Sequence, residues 1–251
     1  MIEFAIAEFA RATFCEFVVE PKCRNALSHA VRAIAGLAEQ SYGQMERATS
    51  SRQRIACKAG CSHCCYMRVV ATVPEVIALA DFVALNFSKA QFAAMRKRVM
   101  NVKTRGLTDE QWGVAHHACP LLVDGECSAY AARPLECRGY NSTDVRACRA
   151  AAKDYLEWEV PMDAALMSTF KSAQAGLLQA LTHFGHSPRL VELTAALRVI
   201  FRDECAIDRW LAGENPFAEA EIDLWDPEQR AFLPWVPSDE LRTEAGSEKP
   251  R

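Results

Sequence analysis

The sequence predicts a mainly α-helical fold, a helical scaffold around an irregular cysteine-rich core, on three observations. Helix-capping patterns recur along the chain, alternating strand-like runs are scarce, and eight of the eleven cysteines fall between residues 57 and 148. At 251 residues the chain is long enough to bury a sizeable apolar core, so it needs no metal merely to stay folded. Its 50% hydrophobic and 24% charged residues are ordinary globular usage.

Residues 1–54 read as an N-terminal helical segment. Val69-Val70-Ala71-Thr72-Val73 is the one β-prone run, and it is short. Thr72-Val73-Pro74-Glu75 then gives a capping box with an early proline, opening an apolar helix over 76–87. Ser88-Lys89-Ala90-Gln91 repeats the device before 92–100, and Thr108-Asp109-Glu110-Gln111 does so before Trp112. Pro161 precedes a helix that stops near Gly185, with Phe170, Ala173, Leu177, Leu178 and Leu181 at the spacing of a core-facing stripe. Ser187-Pro188 heads a further helix over 190–210. Together these make residues 151–235 a set of C-terminal helices packing on the cysteine region at 55–150. Residues 236–251 are polar and read as a disordered tail.

Net charge is −3, from 29 basic and 32 acidic residues, which gives no support for nucleic-acid binding. No run approaches the ~20 apolar residues of a membrane span. The acidic N-terminal stretch, with Glu3, Glu8 and Glu16, does not read as a signal peptide, so the expected location is the cytoplasm. Reducing conditions there disfavour a disulfide framework, and clustered thiols point to metal or redox chemistry.

The first cysteine block is Cys57-Lys-Ala-Gly-Cys61-Ser-His-Cys64-Cys65, with Gly60 relaxing the backbone for a loop. In a helix, Cys57, Cys61 and Cys64 would share one face and Cys65 would point about 100° away, so paired Cys64 and Cys65 suit different centres. The second block holds Cys119, Cys127 and Cys137, with Cys148 following. Eight thiolates would fill two four-coordinate sites. Arg52, Arg54, Lys58 and Arg68 surround the first block without an acid, and Arg133, Arg138, Arg146 and Arg149 flank the second, a setting that offsets thiolate charge. Arg133-Pro134 is expected to end a short turn begun near Ser128, aiming Cys127 and Cys137 toward one place.

These blocks resemble the CxxCxxCC family of zinc- or iron-chelating domains, also called YkgJ-like cysteine-cluster proteins and distantly related to flagellin lysine methylases. The resemblance rests on Cys57, Cys61, Cys64 and Cys65, then Cys119-Pro120 with Leu122, Gly125, Cys127, Tyr130, Arg133-Pro134, Cys137-Arg138 and Cys148. It implies that these eight cysteines chelate iron or zinc. It favours Arg133, and with it Arg138, as residues that bond around the bound group, on thiolates or nearby carbonyls.

Residue type alone leaves the metal open, since tetrahedral thiolates suit zinc and iron–sulfur clusters alike. Paired cysteines and eight thiols exceed what one structural zinc requires, which inclines the reading to an iron–sulfur cluster or iron, with zinc as the alternative. The Cys57-x3-Cys61-x2-Cys64 spacing also occurs in radical S-adenosylmethionine enzymes, but the β/α-barrel context is missing. Two other classes compete: a protein-modifying enzyme of the flagellin lysine N-methylase type, acting on a protein partner, and a thiol redox or sensor protein. No catalytic constellation is evident, and oligomeric state is not encoded in any motif. His63, His116 and His117 lie close to the cysteines as further candidate ligands. His183 and His186 fall at a helix end. Cys15, Cys23 and Cys205 read as small buried residues, and Trp112, Trp158, Trp210, Trp225 and Trp235 as core packing.

Overall fold

Apolar stripes and capping side chains build the scaffold that the sequence predicts. The computed structural model describes residues 2–18, 23–48, 54–102, 107, 109–153 and 159–222. The expected tail at 236–251, Arg52, Trp158, Trp225 and Trp235 lie outside them. Helix α1 (Ile2–Phe17) buries Ala10 and Phe14, and α2 (Arg24–Ala48) buries Leu27, Ala30, Ile34 and Ala38. A two-residue strand β1 (Val70–Ala71) leads into α3 (Val73–Asn86), where the Thr72–Glu75 capping box forms as the sequence predicts. The Ser88–Gln91 box likewise opens α4 (Lys89–Asn101), and α5 (Asp109–Ala115) buries Trp112.

The cysteine region follows as a hairpin of β2 (Leu122–Val123) and β3 (Glu126–Cys127), then the short helices α6 (Leu135–Gly139) and α7 (Val145–Ala151). Helix α8 (Ala164–His183) starts two to three residues later than Pro161 suggests, because the Asp163 carboxylate caps it by accepting from the Ala165 and Leu166 amides at 2.9 and 3.0 Å. The expected stripe is buried: Phe170, Ala173, Leu177, Leu178 and Leu181 face α1, α2 and α6. Gly176 makes the α1–α8 approach close, since a Cβ there would stand 2.1 Å from the Ala7 carbonyl oxygen.

The expected helix after Pro188 does not form as one piece. The single helix over 190–210 is instead a strand and two helices: β4 (Val191–Glu192), α9 (Leu193–Arg202) and α10 (Ala206–Leu211). β4 pairs antiparallel with β1, Val70 opposite Glu192 and Ala71 opposite Val191. Glu192 then caps α9, accepting from Thr194 and Ala195 at 2.8 and 2.7 Å. At the second break Asp203 accepts from the Cys205 amide at 2.9 Å, ending the first helix run. Cys205 and Cys23 are exposed beside helix starts, not buried as expected; Cys15 is half-buried. Among the described residues no helix is long and apolar enough to cross a membrane.

Candidate metal centre

The first cysteine block is not helical. Residues 54–58 are irregular, a turn follows at Gly60 (φ +84°), and a 3-10 turn spans His63–Tyr66. Positive φ explains the glycine. A Cβ at that glycine would meet the Glu126 Oε1 at 3.5 Å, so the β2–β3 hairpin lies against this turn. Two sets of backbone bonds dock the block onto the second. The Ala56 amide donates to the Ser142 carbonyl at 2.8 Å, and the Ser142 amide donates to Cys57 Sγ at 3.2 Å. The Cys119 amide donates to the Cys65 carbonyl at 2.7 Å.

In the second block the Asp124-Gly125 pair has φ of +51° and +80°, the two left-handed positions of a tight hairpin turn. That dipeptide is the sequence signal for a hairpin absent from the elements predicted above. The turn sets Cys127 opposite Leu122. A 3-10 turn over Tyr130–Ala132 then ends at Arg133 (ψ 137°), as Pro134 requires. The chain re-enters helix at α6, which carries Cys137, and α7 carries Cys148 under an Asp144 cap.

The thiols influence one another across the blocks. Burial pushes Cys57 up, and the Ser142 amide opposes this, while the charges of Cys61, Cys64 and Cys148 add to it. Cys148 rises for the same leading reason, with the Ser142 hydroxyl opposing and Cys61 and Cys64 adding. On the other side, burial pushes Cys119 up to about 12, and Cys127, Glu192 and Cys64 add to it against the Leu121 amide. Cys137 lies well above the usual thiol range through burial, then through Cys119, Cys64 and Cys127. Cys127 is raised by burial and lowered by the Ala129 amide and Arg133. Cys64, raised first by its contact with Cys65 and then by burial, is felt by five other cysteines. It couples electrostatically to two sets, an outer Cys57 and Cys148, which Cys61 also influences, and an inner Cys119, Cys127 and Cys137.

Arg133 supplies positive charge that lowers Cys64, Cys127 and Cys137. Its guanidinium stacks 3.6 Å from the Tyr130 ring centroid and donates to the Tyr130 carbonyl. Arg138 works differently. It donates to the Arg133 and Ala131 carbonyls at 2.9 and 2.6 Å and pairs with Glu39 on α2, bracing the turn. Arg146 pairs with Asp144 and is 86% exposed, and Arg68 stacks over Trp112. His116 stacks on Tyr66 at 4.2 Å, and His117 meets Trp112 edge-on. Ser142 is the contributor no motif announces: its amide and hydroxyl serve Cys57 and Cys148, and nothing local in the sequence marks it.

The donor set fits a soft-metal centre in chemistry, since cysteines of the two blocks are coupled electrostatically with the Arg133 cation beside them. Among the described residues, no three His, Cys, Asp or Glu side chains are already arranged as ligands around one point. No curated protein and no solved structure gives a significant match to the chain. Residues 56–160, the stretch that holds both cysteine blocks, match the CxxCxxCC family model, described as a "putative zinc- or iron-chelating domain".

Proposed function

We propose that this protein binds metal on Cys57, Cys61, Cys64, Cys65, Cys119, Cys127, Cys137 and Cys148, holding iron, as an iron–sulfur cluster, in preference to zinc. The observation that carries this reading is the Cys119–Cys65 backbone bond at 2.7 Å, which seats two sulfur-rich segments distant in sequence against each other. Eight thiols in one neighbourhood exceed the four of a closed zinc tetrahedron, which favours iron or two centres. Bound iron–sulfur would supply one-electron chemistry, and bound zinc a structural crosslink.

The chain's own residues prepare for that load. Arg133 offsets thiolate charge, and Arg138 keeps the Tyr130–Arg133 turn in shape. The thiol redox reading is weaker, because reactive redox thiols are depressed in pKa, whereas burial holds Cys57, Cys119, Cys127, Cys137 and Cys148 up. Elemental analysis and a visible absorption spectrum on anaerobically purified protein test the proposal. Iron with sulfide and a brown thiolate-charge-transfer absorption are expected. A colourless protein with two equivalents of zinc overturns the iron preference, and one with no metal overturns the whole reading. Transfer of a labelled methyl group from S-adenosylmethionine to a protein acceptor would instead support the methylase alternative.

A further inference from the structure

Helix α6, which carries Cys137, has five residues, too few to hold a conformation by its own hydrogen bonds. Its position must come from what it packs on. Three residues of the helix, on both sides of Cys137, are gripped from other elements. The Leu135 amide donates to Glu75 Oε1 at 2.7 Å, across sixty positions of sequence. Glu136 forms an ion pair with Lys171 of α8. Gly139 lies so close to α8 that a Cβ on it would stand 2.9 Å from the Phe170 Cβ.

Glu75 and Lys171 are unusual for charged groups in being 2% and 6% exposed. The other Glu75 oxygen accepts from both the amide and the hydroxyl of Thr72 at 2.8 Å, so one carboxylate joins the N-terminus of α3 to the start of α6. Gln174, fully buried one turn beyond Lys171, also donates to the Glu75 carboxylate. A capping box needs only the Thr72 contact. The second oxygen, spent on the cysteine-bearing helix, is what the cap does not explain.

We propose that Glu75 and Lys171 are positioning residues for Cys137: the Glu75–Leu135 bond and the Lys171–Glu136 pair together fix the backbone on which this thiol stands, and with it the geometry of the inner thiol group. The inference rests on the metal-binding reading but concerns residues outside the cysteine motif. A scaffold made by α3 and α8 thereby sets a site carried on a short helix and loops. Residues that orient metal ligands from outside typically change affinity ten- to a hundredfold when replaced.

The test uses the full chain, anaerobically freed of metal and titrated with Co2+ alone, reading thiolate-to-cobalt charge transfer and the visible d–d envelope. Glu75→Gln, which keeps the shape, and Lys171→Met, which keeps the volume, should each weaken cobalt binding about tenfold and alter the envelope. Leu27→Ala, a core substitution in α2 far in sequence from the eight cysteines of the two blocks, serves as the stability control. In parallel, alkylation of the metal-free proteins with iodoacetamide, read cysteine by cysteine, should show Cys137 reacting several-fold faster in both variants while Cys57 is unchanged. Wild-type cobalt binding and Cys137 protection retained in both variants overturn the inference, as does an equal loss in Leu27→Ala. A wild type that gives no thiolate–cobalt absorption counts against metal binding itself, and the alkylation result then still decides whether the clamp places Cys137.

Discussion

The outer and inner thiols are held by different means. Cys57, Cys61 and Cys148 sit on irregular chain, a turn and a seven-residue helix, and their main tie across the blocks is Ser142. Cys57 is exposed. Cys119, Cys127 and Cys137 are set by a backbone bond to Cys65, a tight hairpin, a proline-ended turn and a helix anchored on α3 and α8. The contrast teaches that one cysteine motif can combine a preorganised half with an adaptable half, and that the difference arises outside the motif. Preorganised ligands lose less freedom on binding, so the inner half should hold its load more tightly.

The sharpest way to break this division is at Cys64, the thiol that both groups feel. Cys64→Ser should strip metal from both halves, whereas Cys57→Ser should spare the inner share and Cys137→Ser the outer. Cys205→Ser, exposed at the start of α10, should leave metal content unchanged. Metal equivalents per chain check the series. Equal losses from Cys57→Ser and Cys137→Ser would merge the two groups into one.

The scaffold side of the comparison is tested at Gly176. A Cβ would meet the Ala7 carbonyl and, at 2.9 Å, Ala10 Cβ, so Gly176→Ala must push α1 off α8. Overpacking of this kind costs typically about 1–3 kcal/mol, read as a lower midpoint in urea. Because α6 also leans on α8, the inner half should lose affinity with it, while alkylation of Cys57 stays as it was.

Much of this was legible in advance, for physical reasons that differ by element. The capping boxes at Thr72 and Ser88 form because their bonds close within four residues, and the stripe ending at Leu181 shows because helical spacing is local. The thiol positions follow from fixed offsets. What stayed hidden depends on partners far along the chain. The strand at Val191–Glu192 exists because Val70–Ala71 lies beside it, and the Glu75–Leu135 bond spans residues that no motif links. Cys23 and Cys205 were misplaced because apolar neighbours in sequence do not fix which face a helix start buries.

Proton competition gives a milder separation. Burial raises Cys57 and Cys148 among the outer thiols and Cys119, Cys127 and Cys137 among the inner, and a raised thiol is protonated at neutral pH, so each must release its proton to bind. Apparent affinity therefore rises with pH. Both halves rise alike while their thiols are protonated, and the inner half should go on rising to higher pH, with Cys119 pushed up to about 12 and Cys137 well above its usual range. Competition titrations with a chromophoric chelator at several pH values locate where each half levels off, and levelling at the same pH would argue that both halves are equally buried.

The smallest expected effect falls on Ser142. Its amide, which donates to Cys57 Sγ, survives replacement by alanine; its hydroxyl, which accepts from the Asp144 amide at 3.0 Å and favours the Cys148 thiolate, does not. Losing one such hydrogen bond costs about 1 kcal/mol. Ser142→Ala should therefore weaken the outer half by less than about tenfold and leave the inner half untouched, since neither bond reaches α6. Thiol-resolved alkylation should show Cys148 changed and Cys57 not. If Cys137 responded instead, the hydroxyl would be acting through the loop between α6 and α7, and the outer half would owe its place to the same scaffold as the inner.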